Sequence, residues 1–229
     1  MTRYEEIRAQ TKLVTACHPD LANALDRVRQ EADAQLSLMK AMAGAIGPVD
    51  LILGSLVGRS LDIVDGFGHA FERWNFTVAS VLVRLQVDNV MIAHVTATTS
   101  DVDGLLKHIL ADQRLTNLHV PTSMAQALPE KDRRKAAFTD STMRRLAGIE
   151  HPWIDDIYRL TSSWVHFSAV HYQNVWRIDE NGRIFGRWPL DIGQFGKDFL
   201  LPMLNAMFTA TQSLTNYLRE WTSKKGLGG

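Results

Sequence analysis

Between Arg73 and Asp101 the chain carries only two formal charges, Arg84 and Asp88. The stretch from 49 to 99 is the most apolar part of the sequence, and it limits the fold more than any other feature. It divides near Arg73-Trp74-Asn75 into LILGSLVGRSLDIVDGFGHAF and FTVASVLVRLQVDNVMIAHVTA, each long enough for a helix of five or six turns. A helix that is apolar nearly all round must be enclosed by others. The expected core is therefore this pair of helices. Gly54, Gly58, Gly66 and Gly68 on the first of them suit close helix packing.

The flanking segments supply the enclosure. MTRYEEIRAQTKLVTA reads as a short first helix stopped around His18-Pro19. From Asp20, the run LANALDRVRQEADAQLSLMKAMAGAI places Leu21, Leu25, Val28, Leu36 and Met39 mostly three and four residues apart, with Gly47-Pro48 as its stop. Ser100-Asp101-Val102-Asp103 resembles a capping box opening a helix to about Asp112. Asp140 or Ser141 can cap a short helix closed by Gly148. Pro152, followed by Asp155 and Asp156, starts another over about 152–167.

One segment breaks the helical pattern. NVWRIDENGRIFGRW, 174–188, predicts a β-hairpin turning at Asn181-Gly182, with Ile178 facing Phe185 and Glu180 facing Arg183. A last helix, about 195–222, returns to the core. Its stretch 199–218 has no charge over a transmembrane length, but Asn205, Thr209, Thr211, Gln212, Ser213, Thr215 and Asn216 mark a packed amphipathic helix. The expectation is a single mainly α domain over 1–229: a bundle of about seven helices with one inserted hairpin, a core over about 20–222 and a frayed tail at 223–229.

Bulk composition excludes several classes. With 25 basic and 25 acidic residues the net charge is zero, so any basic surface is local. Cys17 is alone, which leaves neither a disulfide framework nor a thiolate cluster. The N-terminal MTRYEEIRAQ lacks the apolar centre of a signal peptide, and the expected setting is cytoplasmic, without a membrane partner. No phosphate loop, nucleophile elbow or dinucleotide fingerprint is present. His151, His166 and His171 lack the i, i+4 spacing of a zinc helix, so neither metal nor cofactor is expected.

The chemistry worth weighing lies in YRLTSSWVHFSAVHY, 158–172. On a helix, Arg159 and His166 are seven residues apart and share a face, about 10.5 Å apart along the axis. Arginine offers a permanent fork of donors for phosphate, and histidine exchanges protons near neutral pH. Such a pair can cleave RNA without metal, the histidine moving the proton and the arginine holding the charge that develops on phosphate. Asp155 is placed to pair with Arg159. Arg84 and Asp88, spaced i, i+4, suit a local ion pair or a bridge to the helix bearing Arg59 and Asp62. Lys131, Arg133, Arg134, Lys135, Arg144 and Arg145, with Arg177, Arg183 and Arg187, would form a positive rim if they gather near His166. The alternative is that these residues are structural: a core histidine, a surface salt bridge and a solvated loop.

Three motifs, LVGRSLDIVDGF, LVRLQVDNVMIA and IYRLTSSWVHFSAVH, in that order over roughly 50–172, resemble a bacterial all-helical group related to the HEPN superfamily. The group's late motif is a serine pair followed by V-H-F-S or V-H-P-S. The resemblance implies a helical bundle, often a homodimer, acting as a metal-independent RNA-cleaving toxin or defence effector. Arg159 and His166 would be its catalytic residues, and an antitoxin protein is an implied partner. Arg84, Asp88, Ser163 and His171 are supporting or ligand-binding candidates. Leu160 stands where HEPN nucleases commonly have a polar residue, and some branches of the superfamily bind ligands or partners without cleaving RNA. A non-catalytic helical interaction or ligand-binding module is the other reading.

Overall fold

The computed structural model describes residues 12–42, 46–111, 120, 122–133, 137–165, 176–178, 180–186 and 197–226. The protein is mainly helical. In chain order the helices are α1 (Val14–Cys17), α2 (Asp20–Ala41), α3 (Pro48–Glu72), α4 (Phe76–Thr98), α5 (Val102–Leu110), α6 (Thr122–Ala125), α7 (Glu130–Arg133), α8 (Asp140–Glu150), α9 (Trp153–Val165) and α10 (Lys197–Lys224). The ten described segments exceed the expected count of about seven because α1, α6 and α7 are single turns.

Helix α4 is the centre of the molecule, packed against α3, α8, α9 and α10, while α10 also lies along α2. Its Val83, Val87, Val90, Met91 and Ala93 have no exposed surface. This agrees with its near-uniform apolar sequence. Among the described residues it is also the one helix long and apolar enough to cross a membrane, by length and composition alone.

The α3–α4 turn falls where the sequence placed it. Trp74 adopts a positive φ of 59°, an uncommon conformation for a residue with a side chain. Burial holds it there: Trp74 is 6 % exposed and its indole N–H donates to the Lys12 carbonyl at 2.8 Å. Asn75 then caps α4, its side chain accepting from the Val78 N–H at 3.3 Å.

Several boundaries differ from expectation. Gly47-Pro48 opens α3 and does not close α2: the Gly47 N–H donates to the Asp50 carboxylate at 2.7 Å and Pro48 takes the first helical position, where its missing donor costs nothing. Thr139, and neither Asp140 nor Ser141, caps α8. A Cβ on Gly54 or Gly58 would meet open space, so close packing does not explain those two; one on Gly66 would touch Leu82 at 3.4 Å. The tail is tied down as far as Lys225, whose ammonium reaches both Asp50 oxygens at 2.9 Å. Asp50 also accepts from the Trp221 indole at 2.8 Å.

Of the region expected to form the hairpin, two three-residue strands, β1 (Trp176–Ile178) and β2 (Ile184–Gly186), are described, paired antiparallel. Ile178 opposes Ile184 and Arg177 opposes Phe185, one residue away from the expected register, so Ile178 does not face Phe185. Nothing among the described residues supports a hairpin inserted as a packed element of the bundle.

Candidate functional site

Helix α9 is amphipathic, and this decides where Arg159 points. Ile154, Ile157, Tyr158 and Thr161 are buried towards α4 and α8, whereas Asp155, Asp156 and Arg159 face outward. The side chain of Arg159 is 80 % exposed and its guanidinium pairs with Asp156, one turn back. The expected partner, Asp155, pairs instead with Arg144 of α8 at 3.1 Å. Arg159 is thus a surface side chain held by a surface carboxylate, and such a pair is worth little.

Tyr158 organises the inner side of the same turn. Its hydroxyl donates to Asp88 Oδ1 at 3.0 Å. The guanidinium carbon of Arg84 lies 3.3 Å from the ring centre and that of Arg144 5.1 Å from it. No ion pair between Arg84 and Asp88 is present among the described residues; the Tyr158 phenol joins them instead. Arg59 does cross from α3, but to the amide oxygen of Asn89 at 2.8 Å. Burial pushes the Asp88 carboxyl above its ordinary value and Asp140 adds to the rise, against the Tyr158 hydrogen bond and the charges of Arg84 and Arg59. Burial, and then the nearby Asp88 charge, likewise push the Tyr158 phenol up, so it remains a neutral donor.

His166, His171 and the side chain of Ser163 lie outside the described residues, as does most of the expected basic rim. Arg144 and Arg145 are on α8, and Arg144 reaches the Asp155–Arg159 turn, while Arg133 turns its Nε to the Leu128 carbonyl at 2.8 Å.

A second centre was not anticipated. At the junction of α8 and α9, Glu150 and His151 meet His94 of α4 and Tyr217 of α10. The Tyr217 hydroxyl lies 3.0 Å from His94 Nδ1 and 2.8 Å from His151 Nε2. His94 Nδ1 is 3.5 Å from Glu150 Oε2. His94 is 5 % exposed, while the Glu150 side chain is 55 % exposed and forms the open side. Burial lowers the proton affinity of both imidazoles, with the Glu150 charge opposing it, and leaves them inclined to be neutral. Burial also pushes the Tyr217 phenol up, and the Glu150 charge reinforces this. A cavity of about 300 Å³ opens on the His94–Glu150 side, lined also by Thr98, Met124, Leu146 and Ile149.

Sequence reading weighed His151 as a metal ligand and set it aside, and it missed His94 and Tyr217. Helical spacing cannot reveal a site drawn from separate helices. The available signal was a histidine in the otherwise apolar second half of α4. Comparison with protein-family models, with curated proteins and with solved structures gives no match to this chain.

Proposed function

We propose that this helical bundle acts on RNA and cleaves it without a metal ion. The observation that supports the reading is the gathering of arginines at one turn of α9. Arg84 of α4 and Arg144 of α8 converge on the ring of Tyr158, and the next residue, Arg159, extends into solvent. The carboxylates facing Arg144 and Arg159 are the exposed Asp155 and Asp156, whose pairing a polyanion can displace at small cost. In this reading Arg159 clamps the phosphate, His166 transfers the proton between the 2′-hydroxyl and the leaving oxygen, and Arg84 helps from behind. Ser163 and His171 stand as supporting residues. A homodimer would set two such turns against one RNA, and a toxin or defence role with an antitoxin partner follows from the same reading.

The test is cleavage of a mixed-sequence RNA in the presence of a chelator by the full chain, with Arg159→Ala and His166→Ala beside it. All three proteins are first matched by circular dichroism and thermal unfolding. Loss of cleavage by at least about a hundredfold in His166→Ala is expected, the usual scale of acid–base catalysis. Absent or equal cleavage by the three proteins would turn the reading to a non-catalytic helical interaction or ligand-binding module.

A further inference from the structure

The centre around Tyr217 is closed by hydrogen bonds between its hydroxyl and two imidazoles, and the same side chains bring metal-ligating atoms together. Four donor atoms from four side chains converge: His94 Nδ1, His151 Nε2, a Glu150 carboxylate oxygen and the Tyr217 hydroxyl. His94, Glu150 and His151 offer ligand atoms all within 4.8 Å of one another. Ligands about 2.0–2.2 Å from one tetrahedral ion sit roughly 3.3–3.6 Å apart. The contacts of 3.0, 2.8 and 3.5 Å along three edges of this group already approach that tetrahedron.

We propose that His94, His151 and Glu150, with the Tyr217 hydroxyl beside them, form a site for one divalent transition-metal ion, Zn²⁺ in the first instance. Imidazole suits Zn²⁺, and a carboxylate supplies the negative charge that a pair of neutral imidazoles lacks. With three protein ligands and the neutral Tyr217 hydroxyl facing the fourth position, the ion would brace the packing of these helices. It would tie α4 and α10 to the α8–α9 junction, the support on which the Asp155–Arg159 turn rests. The half-exposed Glu150 gives the ion its way in, past the 300 Å³ cavity. The proposal goes beyond the RNA reading and does not depend on it: a site of this kind can exist in a chain that never touches RNA.

The test uses the full chain, stripped with a chelator and freed of it by dialysis. ZnCl₂ is titrated calorimetrically, and Co²⁺ serves as a spectroscopic probe of coordination. Glu150→Gln and His151→Asn are the informative variants, because both side chains reach the surface and are expected to leave the fold intact by circular dichroism. One Zn²⁺ per chain is expected, with the strong visible absorption of tetrahedral Co²⁺. Each variant should weaken binding by at least about tenfold, the lower end of what even outer-shell partners are worth. Zn²⁺ should raise the unfolding temperature of the wild type and not that of the variants. Absence of binding would overturn the site, and so would Zn²⁺ bound equally well by wild type and both variants, which would point to adventitious surface histidines.

Discussion

Single side chains in this protein were only partly legible from their neighbours in sequence. Arg159 and Asp155 looked like an i, i+4 pair, yet Asp155 turns to Arg144 across the α8–α9 contact and Asp156 takes Arg159. Arg84 and Asp88 looked like another, yet Tyr158, seventy positions beyond Asp88, stands between them. In both cases a partner from another helix offered the better geometry, and sequence separation carries no information about that. Asp88 provides a prediction at this scale. Its carboxyl binds a proton more readily in the folded chain than in the unfolded one, where the ordinary value is 3.8. A raised folded value means a stabilising contribution that is present below the unfolded value and lost as pH rises through the folded one. The unfolding temperature of the wild type should therefore fall relative to that of Asp88→Asn as pH rises above about 4, then run parallel to it once Asp88 is fully ionised. Profiles parallel over the whole range from about pH 4 to about pH 7 would show that the carboxylate is not strained by burial.

Helices were the most legible level. The two apolar runs became α3 and α4 with the break at Arg73-Trp74-Asn75, because long apolar faces are stabilised when neighbouring helices cover them. Boundaries were less legible where one signal serves two purposes. Gly47-Pro48 suits a helix end and a helix start equally, and Asp50, reaching back to the Gly47 N–H, decides for the start. The α3–α4 turn gives the prediction at this scale. Asn75→Ala removes the acceptor for the Val78 N–H and should cost about 1 kcal/mol in chemical denaturation, while leaving the helical circular dichroism of the native state unchanged. No measurable loss would mean that water replaces the cap at this exposed position.

At the scale of the whole molecule, a buried polar chain joins four helices that the apolar core would otherwise let slide. Gln35 of α2 donates to the Thr211 carbonyl of α10 at 2.9 Å. The Gln86 amide of α4 donates to Ser60 of α3 at 2.7 Å, and Asn89 donates to the Gln86 carbonyl at 3.1 Å. None of Gln35, Ser60, Gln86, Asn89 and Thr211 has exposed surface. Removing the central member strands its neighbours without water, so Gln86→Leu should destabilise the fold by about 2–4 kcal/mol, read as a lower urea midpoint. A stability equal to or above that of the wild type would show that the network is replaceable by packing. The sequence by itself determined the helical class, the two core helices and the amphipathic α10, because these depend on periodicity and apolar content along one continuous segment. Tertiary structure alone decided that Thr211 and Thr215 of that helix serve a buried network. It alone gathered three arginines at one turn of α9, and it alone brought His94, Glu150, His151 and Tyr217 within bonding reach. Those outcomes depend on which helix faces which, and packing settles that only when the whole chain is folded.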